Sequence, residues 1–215
     1  MTKADAIACL FLDVGGVVLT NGWDHIALRR AAAHFNLDRA ELESRHHLMW
    51  DTHQAGKLSL DDYLDRVVFR QKRSFTRAQF RRFMFAQSRP HADMLRLIPR
   101  LKARNGLKIV VVSNEGRELN AHRIGKFKLA AFVDTFVSSC FVHVLKPDAD
   151  IFHLALDIAQ APARCVVYID DTAMFVQVAQ SLGIRGIHHT GYSATCAQLA
   201  TLGLQMDGPS DRESA

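Results

Sequence analysis

AIACLFLDVGG, residues 6–16, is an apolar run interrupted by one carboxylate, Asp13, and released by two glycines, Gly15 and Gly16. A short apolar run that stops at glycine predicts a buried strand, Ala6 to Val14, feeding a tight loop whose backbone glycine permits. Asp13 then stands at a strand end, where sites are built. The same grammar returns at 107–113 (LKIVVVS), 135–138, 165–170 (CVVYID) and 184–187. These runs are short, apolar and rich in β-branched residues, as expected of strands covered on both faces.

Between the later strands the pattern turns helical: 148–160, then 172–182 closed by Gly183, then 194–202 closed by Gly203. Strands alternating with helices predict an α/β fold with a parallel sheet. Ligands of such sheets bind beyond the carboxyl ends of the strands. Asp13, Ser113 and Asp170 each occupy such an end, although they are far apart in sequence.

From Leu19 to Arg89 strand-like runs vanish and four helical stretches follow one another, so the region reads as an inserted all-helical unit. Its helix starts resemble capping boxes at Asp38 with Glu41, Ser59 with Asp62, and Thr76 with Gln79. Tyr63, Leu64, Val67 and Val68 would form one apolar face. The expected division is therefore an α/β core over 1–18 and 90–204, a helical unit over 19–89, and a polar C-terminal tail over 205–215 that frays.

At 215 residues, 48% hydrophobic and 23% charged, the chain has the balance of a globular protein with a full core. No apolar stretch is long enough to cross a bilayer, and Asp13 breaks the only N-terminal run that imitates a signal peptide, so no membrane partner is expected. Cys9, Cys140, Cys165 and Cys196 lack CxxC spacing and read as thiols of a reducing, cytoplasmic setting. The formal net charge of +5 favours anionic ligands without naming one.

Four pieces carry chemistry together: Asp13, Ser113-Asn114, Lys146-Pro147-Asp148 and Asp170-Asp171. Phosphoryl transfer needs an oxygen nucleophile, a divalent cation, and donors around the phosphate oxygens. Asp13 can attack phosphorus, because the resulting acyl phosphate is readily hydrolysed. Asp170 and Asp171 offer the hard oxygens that Mg²⁺ prefers. Ser113 and the amide of Asn114 can donate to phosphate, and Lys146 can offset the crowded negative charge.

In that order DVGGV, VSN, KPDADIF and YIDD resemble the four motifs of the haloacid dehalogenase superfamily, over nearly the whole chain. The resemblance implies a Rossmann-like core, with the helical insertion in the place of that superfamily's cap. It makes Asp13 nucleophile and metal ligand, the Gly15 carbonyl a second ligand and Asp171 the main acidic ligand from the fourth motif. Asp170 would assist through water, while Ser113 and Lys146 hold the phosphate. The substrate class implied is a small phosphorylated metabolite, with no nucleic acid expected as partner.

One departure matters. Phosphatases of the superfamily usually carry a second aspartate two residues after the nucleophile, where this chain has Gly15. Glu115 and, near the start of the helical unit, His25 are the candidates to replace that acid/base. Competing readings are carbon–halogen hydrolysis, against which the Asp170-Asp171 pair speaks, and a phosphate-binding regulatory module that has lost turnover.

Other features admit a plain reading. His46, His47 and His53 lack the paired spacing of a zinc site. The basic and aromatic stretch 70–89 reads as a packed aromatic face with a solvated basic one. Asn21-Gly22-Trp23 falls where the chain passes between the two units, with Trp23 expected to pack, and Gly56-Lys57 is expected to face the site on closure.

Overall fold

The structure, a computed structural model, describes residues 6–205; the tail beyond Gln205 lies outside the described residues. Five strands form one parallel sheet: β1 (Cys9–Leu12), β2 (Lys108–Ser113), β3 (Thr135–Ser138), β4 (Val166–Asp170) and β5 (Arg185–His188), in the order β3-β2-β1-β4-β5. Each lies within, or one residue beyond, the apolar run that announced it. β1 is central, with Phe11 opposite Val110 on one side and Tyr168 on the other.

Alternation along the strands sorts side chains into two layers, as the pleat requires. Leu10, Leu12, Ile109, Val111, Val167 and Ile169 pack on one face with Leu97, Ile98 and Leu101 of α5 (Ala92–Asn105). Cys9, Phe11, Val110, Val112 and Tyr168 pack on the other with Ile151, Phe152 and Ala155 of the helix Asp150–Ala159. Both faces are therefore covered, which is why these strands read as unbroken apolar runs. The chain turns to opposite sides of β1 to form β2 and β4, so a crevice opens beyond the carboxyl ends of β1 and β4.

Between β1 and α5 lie α1 (His25–His34), α2 (Arg39–Gln54), α3 (Leu60–Val67) and α4 (Arg77–Ala86). They enclose a core of their own from Trp23, Leu28, Leu42, Tyr63, Leu64, Phe80 and Met84. The three expected caps are used: Asp38 accepts from the amide of Glu41, Ser59 from that of Asp62, and Thr76 from that of Gln79, the last pair being reciprocal. α1 is capped by Asp24, which accepts from the amides of Ile26 and Ala27. Phe75 and Phe80 stack in an aromatic cluster with Phe35 and Phe69, while Arg77 and Arg81 turn outward to pair with Asp65 and Asp61.

The two chain crossings between sheet and helical unit run side by side. Thr20 N donates to Arg89 O at 2.9 Å, Arg89 N to Thr20 Oγ1 at 3.0 Å, and His91 N to Val18 O at 2.9 Å. Gly56 is packed against the carbonyl of Cys140, where an added Cβ would lie 2.2 Å from the oxygen. The Gly56-Lys57 loop is not part of the cleft wall in this structure, to which α2 contributes Trp50 and Gln54.

Candidate active site

Asp13 follows β1 directly and is 7% exposed. Its Oδ1 accepts from the amide of Val14 at 2.8 Å and lies 3.2 Å from Lys146 Nζ. The same ammonium donates to Asp170 Oδ2 at 2.6 Å and to Tyr168 Oη at 3.0 Å. Tyr168 in turn donates to Asp170 Oδ2, while Asp170 Oδ1 accepts from the amide of Thr172 at 2.7 Å. Both oxygens of Asp170 are thus committed to holding the site together.

Lys146 is placed by a reciprocal clamp. Asn114 Nδ2 donates to Lys146 O and Lys146 N donates to Asn114 Oδ1, both at 2.9 Å. The side-chain amide of Asn114 is spent on this clamp. Burial works against the Lys146 charge, but Asp13 and Asp170 hold the ammonium above the usual lysine range. Burial pushes the Asp13 carboxyl up to about 7, with the nearby Asp170 and Asp171 adding to the rise and Lys146 and the Ser113 hydroxyl opposing it.

Asp171 is half-buried, and its Oδ2 accepts from Asn21 Nδ2 at 3.0 Å. Gly16, at φ +70°, passes so close that a Cβ there would lie 1.9 Å from that oxygen. Asp13, Asp170 and Asp171 bring carboxylate oxygens within 4.8 Å of one another, the one such cluster of acid, histidine or cysteine ligands among the described residues. With both oxygens of Asp170 engaged, Asp13 and Asp171 are the carboxylates placed to meet a small divalent cation such as Mg²⁺, and Asp170 is a supporting acid rather than a direct ligand. His46 and His53 are engaged elsewhere, with Tyr63 Oη at 2.7 Å and Leu58 O at 2.9 Å.

A cleft of about 240 Å³ opens over this floor. Asp13, Gly15, Ser113, Asn114, Lys146 and Asp171 line it, so most of the residues singled out in the sequence converge there; Asp170 lies just beneath, fully buried. Glu115 also lines it, as the ion-pair partner of Arg123. Burial raises its carboxyl above the usual range, against the pull of Arg123.

His25 is a correction. It is exposed as the first residue of α1 and is absent from the cleft wall, which receives its neighbour Asp24, because the cap of α1 turns Asp24 inward. Trp23 packs as expected, donating from Nε1 to Tyr63 Oη at 3.0 Å with its ring edge-on to Phe80, and its edge also reaches the cleft. Arg123, Trp50, Gln54 and Phe175 also line the cleft, and nothing in the local sequence marks them for it. Arg123 sits on α6 (Arg117–Lys126), in a polar segment whose sequence gives no sign that one arginine is buried.

Fold and site together define a Rossmann-like α/β protein with a helical insertion and a carboxylate cluster at the switch point of its sheet. The family model for haloacid dehalogenase-like hydrolases matches residues 7–183, and the chain belongs to that family. No curated protein matches the sequence. Among solved structures, the HAD family enzyme bt-2542 of Bacteroides thetaiotaomicron aligns with TM-score 0.75 at 18% identity, over 90% of this chain and 98% of that one. A second structure of that enzyme, in complex with magnesium and inorganic phosphate, aligns with TM-score 0.71 at 19% identity, over 85% and 93%. A HAD-like family hydrolase of Porphyromonas gingivalis aligns with TM-score 0.75 at 18% identity, over 93% and 99%. The L-2-haloacid dehalogenase PA0810 aligns with TM-score 0.60 at 17% identity, over 84% and 83%. At these identities the likeness is one of fold. No helix among the described residues is long and apolar enough to cross a membrane.

Proposed function

We propose that this hydrolase is a magnesium-dependent phosphatase of small phosphorylated metabolites, working through an aspartyl-phosphate on Asp13. The observation that carries the reading is the convergence of Asp13, Lys146 and the Asp170-Asp171 pair at one point of a small cleft. Asp13 and Asp171, with the Gly15 carbonyl, would hold the cation, which supplies charge neutralisation on the phosphate oxygens. Asp170 acts from behind, fixing Lys146.

The steps fall to the chain's own residues. Lys146 and the Ser113 hydroxyl hold the phosphate oxygens, and the Asn114 backbone N–H is the donor left to it once its side chain clamps Lys146. An oxygen of Asp13 bonds to phosphorus as the ester oxygen leaves. Water then attacks the phosphorus of the acyl phosphate and regenerates the carboxylate. Trp23, Trp50, Leu119 and Phe175 line the apolar part of the cleft and keep bulk water away. The bt-2542 complex supports the reading to the extent that the shared fold accommodates magnesium with phosphate.

A cytoplasmic setting belongs to the same reading. The four cysteines form no disulfide, and burial pushes the Cys9 thiol up to about 12 and the Cys140 thiol up to about 11, so both are poor nucleophiles.

The test is phosphate release from a panel of phosphorylated metabolites and an aryl phosphate, with and without Mg²⁺, comparing wild type with Asp13→Asn. Release that needs both Mg²⁺ and Asp13 is expected. Metal-independent halide release from 2-haloacids would move the reading to dehalogenation. Binding of Mg²⁺ and phosphate without turnover of any substrate would make the protein a binding module.

A further inference from the structure

We infer that Arg123 stabilises the departing oxygen, and that the substrates are phosphate esters or anhydrides whose leaving group is acidic enough to depart without a proton. This rests on the phosphatase reading above. It starts from the space beside Gly15. A Cβ built there would lie 2.8 Å from Asn21 Oδ1 and 3.8 Å from Arg123 Nη1. The volume that a side chain two residues after the nucleophile would enter is thus already filled by Asn21, and the Arg123 guanidinium borders it at van der Waals distance.

Arg123 is 2% exposed and its other donors are spoken for. Nε donates to Ser88 Oγ at 3.0 Å, Nη2 to Thr20 O at 3.1 Å and Asn21 O at 2.9 Å, and Nη1 to Glu115 Oε1. A guanidinium has five N–H groups, so one on Nη1 remains; that nitrogen lies 3.8 Å from a Cβ built on Gly15, and both residues line the cleft. Its position is fixed in advance by both chain crossings and by Glu115. A fixed charged donor aimed into a site screened from water is the arrangement that stabilises developing negative charge.

A guanidinium does not give up its proton at any ordinary pH. The remaining acids in the cleft wall have other tasks: Asp13 and Asp171 belong to the carboxylate cluster, Asp24 Oδ1 caps α1, and Glu115 holds Arg123. In the first step the bond from Asp13 to phosphorus forms and the bond from phosphorus to the ester oxygen breaks. The electron pair stays on the departing oxygen, which accepts a hydrogen bond from Arg123 and takes its proton from solvent afterwards. In the second step water's oxygen bonds to phosphorus, the bond to Asp13 breaks, and the surplus proton passes to solvent. Aryl, enol and acyl phosphates and phosphoanhydrides fit this chemistry; simple alkyl phosphates do not. In this scheme Glu115 is a positioning residue.

The experiment is a plot of log kcat/KM against leaving-group pKa for a series of aryl phosphates, extended to alkyl phosphates and to acetyl phosphate, at saturating Mg²⁺. A steep fall is expected, with alkyl phosphates at least ~100-fold below aryl phosphates, the scale of the proton assistance that is missing. Arg123→Lys should cost kcat more than KM and steepen the fall, whereas a residue that only braces the crossings would lower every substrate alike. Because Arg123 also ties the crossings, Glu115→Gln serves as the second variant: a loss shared evenly across the series supports the inference. A shallow wild-type plot would overturn it, as would a Glu115→Gln variant that selectively loses the poor leaving groups, since that marks Glu115 as the proton donor. Absence of any turnover dependent on Asp13 would sink the phosphatase reading and this inference with it, whereas the preceding outcomes leave that reading intact.

Discussion

Gly16→Ala is the substitution that most directly links backbone geometry to the candidate metal site. Gly16 sits at φ +70°, where an L-residue costs about 1–2 kcal/mol. Its new Cβ would also fall 1.9 Å from Asp171 Oδ2 and 2.2 Å from Asp171 Cγ, well inside any real contact. Asp171 must swing away, giving up the 3.0 Å bond from Asn21 Nδ2 and its place beside Asp13. For a chain of this size the backbone strain alone corresponds to a fall in melting temperature of roughly 2–8 °C. The displaced carboxylate should weaken Mg²⁺ binding by at least ~10-fold, the lower end of what disturbed ligand geometry costs. Isothermal titration with Mg²⁺, alongside thermal unfolding with and without the ion, reads both effects. Unchanged Mg²⁺ affinity in a variant that has lost stability would refute the placement of Asp171 at the cation.

Three further outcomes follow from the helical unit. Tyr63 Oη accepts from Trp23 Nε1 and shares a hydrogen bond with His46 Nδ1; Tyr63→Phe strands both partners and should cost about 1–3 kcal/mol in denaturant unfolding. Burial, with His47 and His53 adding to the effect, lowers His46 from 6.5 to about 4. The unfolded chain therefore takes up a proton between pH 6.5 and 4 that the folded one refuses, so stability is full above about pH 6.5 and declines as the pH falls toward 4. At about 1.4 kcal/mol per pKa unit, discounted for partial exposure, the decline is ~2 kcal/mol, and His46→Gln should flatten it in melting curves taken from pH 7.5 to 5. Phe80, fully buried among Trp23, Phe35, Phe69 and Phe75, should cost about 3–5 kcal/mol as Phe80→Ala, read by urea unfolding, with less loss meaning that the aromatic cluster closes over the cavity.

The sequence marks the inner strands of the sheet, because strands covered on both faces read as near-continuous apolar runs at 9–12, 108–113 and 166–170, whereas the edge strands TFVS and RGIH carry polar residues and are partly exposed. It also determined Asp13, Ser113, Lys146 and the Asp170-Asp171 pair as candidates, since acids and a lysine at the ends of apolar runs are costly unless a ligand or a partner offsets them. Pairings between elements remote in sequence are not legible in it, because no local pattern encodes which strand ends meet. That Asp170 is saturated by Lys146 and Tyr168, that the Asn114 side chain clamps Lys146, and that Asp24 rather than His25 enters the cleft follow from which strand ends meet and how one helix is capped. Arg123 is the clearest case. On a polar helix an arginine is solvated by default, and no local pattern says otherwise; its burial is offset by one carboxylate and three other acceptors contributed by Thr20, Asn21, Ser88 and Glu115, which the closed fold alone brings to one place.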